Sequence, residues 1–496
     1  MNKKLILMAL ICLSICYQRV LNAQSTQFNI TIDQNLSSGP LTGNVYVMMT
    51  RDTTSMPIYG PDFIAPEPFL VRKVSNWNTS NPIIIDESQL ALPTSLTAIP
   101  RGYYAIQAVV DINTIERSFV FASGNLYSDK VITKISDDDN RIQISIGNKF
   151  PPKEFINSEN LEGVKVNSAI LSKFYNRPTF MEVAVILPQS YHTSNISYPT
   201  VYVIPGFGGT HYNDQLGWIQ DGIIEHCKQQ KIYVVLNPES ALGHHVFANS
   251  ENNGPRANSL IEELIPYLES KYRMHASPEA RFLFGHSSGG WSSIWLMVNY
   301  PEYFGGAWAT APDPLDFRSF FGINIYREGS NAFTDEHGNL RVLERLPVEN
   351  KPSYKLLSDR ELAIGDGEQY GSFEAVFSPR GEDGKPLRLW NRETGKIDSA
   401  VAAAWAKYDI TQLLNSFPKD VLKRLNNKIH IYVGDRDTYY LDHSVKMFHE
   451  TSSKLFNISV KYFPEEDHYT ILSKDVYDDI EAGMNTISTS LPQANK

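Results

Sequence analysis

Two short runs, Thr200–Ile204 (TVYVI) and Ile232–Leu236 (IYVVL), are almost free of polar residues. A strand with one wet face alternates apolar and polar residues. A nearly continuous apolar run predicts a buried parallel strand covered by helices on both faces. A third run, Met181–Leu187, precedes them. Asp221–Gln230 is helix-like and stands before one strand. Ala257–Tyr272 repeats apolar residues at helical spacing and stands before another, Phe282–Phe284. Strands and helices in alternation predict an α/β domain, doubly wound around a mostly parallel sheet.

This pattern begins near Lys149-Phe150-Pro151-Pro152. Upstream, Phe28–Ile32, Asn44–Met48 and Arg141–Ile146 alternate with a period of two, and Pro, Gly, Asn and Asp fill the gaps. Residues 24–150 are therefore expected to form an all-β, antiparallel sandwich, and 151–496 the α/β domain. Ser136-Asp137-Asp138-Asp139-Asn140 lacks the ligand spacing and glycine of an EF-hand loop and is expected to be a solvated turn.

Asn2-Lys3-Lys4, the apolar Leu5–Tyr17 and the small Ala23 resemble a secretory signal peptide cleaved after Ala23. The expected location is outside the cytoplasm, secreted or periplasmic, and the apolar run is too short for a spanning helix. Leu13-Ser14-Ile15-Cys16 loosely matches a lipidation motif, but Ile15 is bulky where a small residue is usual, so a lipoprotein is the lesser alternative. Loss of Cys12 and Cys16 leaves Cys227 alone, which excludes an intrachain disulfide. The net charge of −10 gives no support to nucleic-acid binding.

Chemistry concentrates in Gly285-His286-Ser287-Ser288-Gly289. It lies between the strand Phe282–Phe284 and the apolar, helix-like Ser288–Val298. A sharp strand-to-helix turn exposes a serine hydroxyl, and small neighbours permit the turn. Such a hydroxyl needs a base and an acid. The order expected on this scaffold is serine, acid, histidine. Ile429–Val433 is strand-like and runs into Gly434-Asp435-Arg436-Asp437. Asp437 is the chosen acid, Asp435 a turn former and Asp442 a distant third. Asp313, after the strand near Trp308, is a further candidate acid. A last strand, Ile458–Phe463, ends in Glu465-Glu466-Asp467-His468, which places His468 as the base. The loop Pro205-Gly206-Phe207-Gly208-Gly209 follows a buried strand. The Phe207 N–H, or that of Gly208, and the Ser288 N–H are the expected oxyanion donors. No phosphate-loop or dinucleotide spacing fits these glycines.

From about Val164 to Leu491 the chain resembles the esterase D type esterases of the α/β-hydrolase superfamily. That group includes feruloyl and acetylxylan esterases of carbohydrate esterase family 1 and enterochelin-type esterases. The matching pieces are Ser172-Lys173-Phe174, Val185–Pro188, Pro205–Gly209, Glu262–Pro266, Gly285–Trp291, Tyr300–Phe304, Gly434–Asp437 and Asp467-His468. Pro205 stands where many relatives carry histidine. The gap from Trp308 to Gly434 is too long for a loop, so residues of about 318–408 are expected to be an inserted cap. The resemblance implies a serine esterase acting through an acyl-enzyme on acylated carbohydrates or feruloyl-type esters, small or polysaccharide-linked. A siderophore lactone is the alternative substrate, with Arg327, Arg341 and Arg345 as its cation sources. An acyltransferase or peptidase on the same triad, and an inactive binding protein, are the other readings. Gly208, Tyr212, His286, Trp291 and His245 are candidate substrate contacts, with Phe207, Trp218 and Trp308 as further aromatic neighbours. The His244-His245 pair lacks a third ligand at a familiar spacing, so no metal and no cofactor is expected.

Overall fold

The computed structural model describes residues 26–37, 39–60, 67–137, 140–212, 216, 230–345 and 351–488. The residues read as a signal peptide, residues 221–229 with Cys227, Trp218, and Asp138 and Asp139 lie outside the described residues. The chain divides into two compact units between Lys153 and Glu154.

The first unit contains nine strands: β1 (Thr26–Ile32), β2 (Leu41–Thr50), β3 (Phe69–Trp77), β4 (Ile83–Ile85), β5 (Leu90–Leu92), β6 (Gly102–Asp111), β7 (Leu126–Ser128), β8 (Val131–Ile135) and β9 (Asn140–Lys149). Hydrogen bonds join them in the order β4-β1-β9-β7-β6-β2-β3-β5, with β8 also on β6. The strictly antiparallel expectation needs one correction, because β1 runs parallel to β9. These strands stand at opposite ends of the unit in sequence, so no hairpin dictates their direction. The alternation turns Phe28, Ile30, Ile142 and Ile144 into one apolar core with Val45, Val47, Leu70 and Ile106.

The second unit is built on an eight-stranded sheet. Its strands are β10 (Leu161–Asn167), β11 (Phe180–Ile186), β12 (Thr200–Ile204), β13 (Ile232–Leu236), β14 (Arg281–His286), β15 (Gly306–Thr310), β16 (Ile429–Gly434) and β17 (Ser459–Phe463). The order is β10-β11-β13-β12-β14-β15-β16-β17. The first two pairings are antiparallel and the remaining five parallel. The fold is α/β, with a mostly parallel sheet. Every residue of β12 and β13 is buried. On one face Val201, Val203, Tyr233, Val235, Phe282 and Phe284 meet Val476, Ile480 and Met484 of the last helix, Lys474–Ser488. Helix α1 (Ser288–Asn299) packs along β12, β14 and β15. The helical stretch expected at Ala257–Tyr272 contains a π-helical turn, Leu260–Leu264, between Arg256–Ser259 and Ile265–Lys271. Among the described residues no helix is long and apolar enough to cross a membrane.

Between β15 and β16 the inserted segment carries helices among turns and bends. They include α2 (Tyr354–Ile364), α3 (Gln369–Phe377) and Ser399–Trp405. Phe317, Phe320, Phe373, Phe377 and Trp405 pack at centroid distances of 5.1–5.9 Å, edge to face except for the stacked Phe373–Phe377 pair. Phe377 also meets Trp291 of α1 at 5.2 Å, which ties the insertion to the nucleophile helix.

Candidate active site

Ser287 sits between β14 and α1 with φ 58° and ψ −123°. L-residues rarely adopt this backbone, and its cost persists where the surroundings over-determine it. Three backbone hydrogen bonds do so here: Ser287 N–H to Thr310 O (3.0 Å), Trp291 N–H to Ser287 O (3.0 Å) and Asp313 N–H to Ser287 O (3.1 Å). A Cβ at Gly289 would fall 1.8 Å from Ile204 O, so only glycine lets α1 start this close to β12. Ser288 is the first residue of α1, where the N–H has no intrahelical acceptor.

The loop after β12 comes to the same place. Its turn is closed by Gly209 N–H to Gly206 O at 3.0 Å, and Gly208 has φ 82°. A Cβ at Gly206 would lie 3.4 Å from the Ser287 Cβ. Phe207 and Gly208 are half-buried beside the elbow. Tyr212, just beyond the loop, rests on His211 with ring centroids 4.3 Å apart.

Asp437 and His468 meet at the ends of neighbouring parallel strands, β16 and β17. His468 Nδ1 donates to Asp437 Oδ2 at 2.8 Å, with side chains 4% and 0% exposed. Asp437 Oδ1 accepts from the N–H groups of Tyr439 (2.9 Å) and Leu441 (3.2 Å). The carboxyl is buried yet fully partnered. The His468 ring is walled by His286 at 4.5 Å and, edge to face, by Tyr439 at 4.9 Å and Tyr469 at 5.2 Å. The two tyrosine hydroxyls are joined at 2.7 Å. Burial first, and then the neighbouring His468, push the His286 imidazole well below its ordinary pKa.

The rival acids are engaged elsewhere. Asp435 accepts from Glu465 N–H at 2.8 Å and braces the acid loop against the histidine loop. Asp442 pairs with Arg345 at 2.8 Å. Asp313 lies at the elbow itself. Its Oδ1 accepts from Ser287 Oγ at 3.5 Å and its Oδ2 from Ser288 Oγ. Among the described residues no hydrogen bond joins Ser287 Oγ to His468. Catalytic hydrogen bonds are often long or unformed without substrate.

Two expected substrate contacts need correction. Trp291 is 1% exposed, stacked on Trp295 at 5.1 Å beneath the insertion, and serves the core because α1 is covered on both sides. His245 is buried away from the elbow, lining a cavity of about 30 Å³ with Phe247 and Arg256. Its neighbour His244 is the one that reaches the oxyanion loop, through a 2.9 Å contact from Nε2 to Pro205 O. The two-residue strand Gly243–His244 ends at His244, and His245 lies just past it. Trp308 is likewise fully buried, between Phe282 and His430. Sequence reasoning passed over Tyr439 and Tyr469, although each adjoins a chosen loop. It also passed over Gln369, whose Nε2 lies 3.5 Å from Ser288 Oγ and which no local motif announces. Among the described residues no group of three or more His, Cys, Asp or Glu side chains is placed to hold a metal ion.

Residues 176–469 match the Esterase family model, described as "Putative esterase". Esterase Rv1288 of Mycobacterium tuberculosis is 28% identical over 186 residues, covering 35% of this chain and 40% of that protein. The chain thus spans less than half the length of that curated relative. Among solved structures, an S-formylglutathione hydrolase from Agrobacterium tumefaciens is 17% identical, with 66% of this chain and 95% of the other covered at a TM-score of 0.41. A ferulic acid esterase from Anaeromyces mucronatus is 16% identical, with 67% and 94% covered at a TM-score of 0.34. The family match spans more than half of the chain and holds the elbow serine, the aspartate and the histidine, so the chain belongs to the Esterase family, a family of carboxylic ester hydrolases.

Proposed function

We propose that the chain hydrolyses carboxylic esters through an acyl-enzyme on Ser287, with His468 as base and Asp437 as its orienting acid. The observation that carries this reading is the buried Asp437–His468 pair set beside a strained elbow serine. With an ester bound, Ser287 Oγ swings to His468 Nε2 and gives up its proton as it attacks the carbonyl carbon. Nδ1 stays bonded to Asp437, which fixes the tautomer and stabilises the imidazolium. The oxyanion faces the N–H groups of Ser288 and Phe207 or Gly208. His468 returns the proton to the departing alkoxide. A water then repeats the sequence on the acyl-enzyme and frees the acid.

The proposed substrates are acylated carbohydrates or feruloyl-type esters met outside the cytoplasm. Tyr439 and the exposed Tyr469 offer flat faces beside His468, suited to a sugar ring or an aromatic acyl group. The lactone alternative has less support. Arg327 pairs with Glu336, Arg345 with Asp442, and Arg341 donates to backbone carbonyls, so the insertion's arginines are engaged. Purified protein tested on acetylated and feruloylated saccharides and on a siderophore trilactone decides between them. Turnover of the trilactone far above that of the saccharides would falsify the carbohydrate reading.

A further inference from the structure

Asp313 is a buried carboxyl at the elbow that the mechanism above does not use. It is 2% exposed. Its backbone is pinned on both sides: Ala311, at φ 40°, donates to Tyr432 O at 2.8 Å, and the Asp313 N–H donates to Ser287 O. The carboxyl therefore cannot drift from the two serines. Its two contacts differ in strength. The Ser288 bond is short, whereas the Ser287 bond, at 3.5 Å, is at the limit of a hydrogen bond. The weaker one is easily exchanged for His468 when an ester arrives. The stronger one holds the residue whose N–H opens α1 at the oxyanion site, and Gln369 of the insertion approaches the same hydroxyl.

We propose that Asp313 is a positioning residue that must be ionised for full activity, because its carboxylate holds Ser288 and stages Ser287 at the elbow. A carboxylate accepts from both hydroxyls at once. A protonated acid has one carbonyl oxygen left, and its new O–H donates to a serine Oγ instead of accepting from it, so one of the two serines is no longer held as a donor. The inference rests on Ser287 as nucleophile. The titratable groups around the carboxyl are His468 and Asp437 from the strand-end loops, Tyr370 from α3, and His286, which stands against His468. Burial is the largest influence and raises the Asp313 carboxyl to about 6, inside the working range of an esterase.

On acidification a proton on Asp313 then acts against catalysis. The test is kcat/KM for p-nitrophenyl acetate from pH 5 to 8, which reports the free enzyme. Asp313→Asn keeps an acceptor for Ser288 but cannot ionise, so the full-length wild type is expected to fall more steeply on acidification than this variant, by about 1 in the limiting slope of the logarithmic plot. Asp313→Ala and Asp313→Asn are each expected to lose about 10²-fold in kcat at pH 8 with KM little changed, the asparagine because it mimics the protonated acid at every pH. An Asp313→Asn profile superimposable on the wild type would overturn the proposal even if the alanine variant failed to fold. Ser287→Ala, assayed alongside, separates the two ideas: retained hydrolysis in that variant would instead remove the nucleophile assignment beneath them.

Discussion

Asp437 is chosen by its partners rather than by its charge. Five aspartates lie within or beside the loops at the carboxyl ends of β15 and β16, and among them only Asp437 meets His468 while accepting two backbone N–H groups. Asparagine there would offer an amide in place of one carboxyl oxygen and favour the wrong imidazole tautomer. Asp437→Asn is expected to lower kcat by roughly 10⁴-fold. Asp435→Asn keeps an acceptor for Glu465 N–H, so its kcat should stay within about threefold of the wild type. Initial rates on a chromogenic ester distinguish them, and the reverse ranking would refute the assignment. Ser287→Ala and His468→Ala should each cost on the order of 10⁴–10⁶, and the double variant hardly more, because the groups act as a unit. Labelling by a fluorophosphonate should disappear with Ser287 and persist in Asp435→Asn.

The insertion shows what a run of charges conceals. Residues 318–408 are rich in charge, yet several of those charges are inside. Glu374 is 0% exposed and bonds to Arg388 (2.8 Å) and Arg392 (2.7 Å). Glu361, at 5% exposure, accepts from Tyr370 N–H (2.8 Å) and Gly371 N–H (3.1 Å) at the start of α3. Burial chiefly, and then the neighbouring Glu368, raise its carboxyl from 4.5 to about 8. A carboxyl with a raised folded-state pKa contributes its full stability below the unfolded value. That contribution drains away as pH climbs from about 4.5 to about 8, because the unfolded chain releases the proton first. Glu361→Gln mimics the protonated form at every pH. Its melting temperature is expected to change less between pH 5 and 8 than that of the wild type, and to exceed it at pH 8. Thermal scans at both pH values check this, and parallel curves would count against it. The same element marks the limit of the sequence reading. The elbow, the acid loop and the histidine loop were legible because each is a short local pattern at a strand end. Gln369 beside Ser288, Phe377 against Trp291, and His244 in preference to His245 arise when distant segments fold together, and no local spacing encodes that.

At the scale of the whole chain, the change in period near residue 150 and the observed division at Lys153–Glu154 fall within a few residues of each other. Both have one physical origin. A sheet built mostly from antiparallel strands with one dry face, and a parallel sheet covered on both faces, cannot share a strand pattern. Among the described residues the buried apolar cluster of the first unit draws on residues 28–146, and that of the second on residues 184–484, with Phe155, Leu161 and Ile487 packed against it. Every residue assigned to the chemistry, from Phe207 to His468, belongs to the second unit. The fragment 154–496 therefore keeps its own core and its complete site. It is expected to fold and to hydrolyse p-nitrophenyl acetate with kcat/KM within roughly threefold of the full chain, as an independent domain should. On an ester carried by an insoluble polysaccharide the comparison has a different use. If the amino-terminal unit docks the polymer, the fragment should lose rate there while keeping it on the small ester. If the unit only braces the fold, both rates should fall together with the melting temperature. Measuring the two substrates and the thermal midpoint on the same pair of proteins separates these roles. A fragment that melts like the full chain yet fails on the small ester would contradict the placement of the whole site in the second unit.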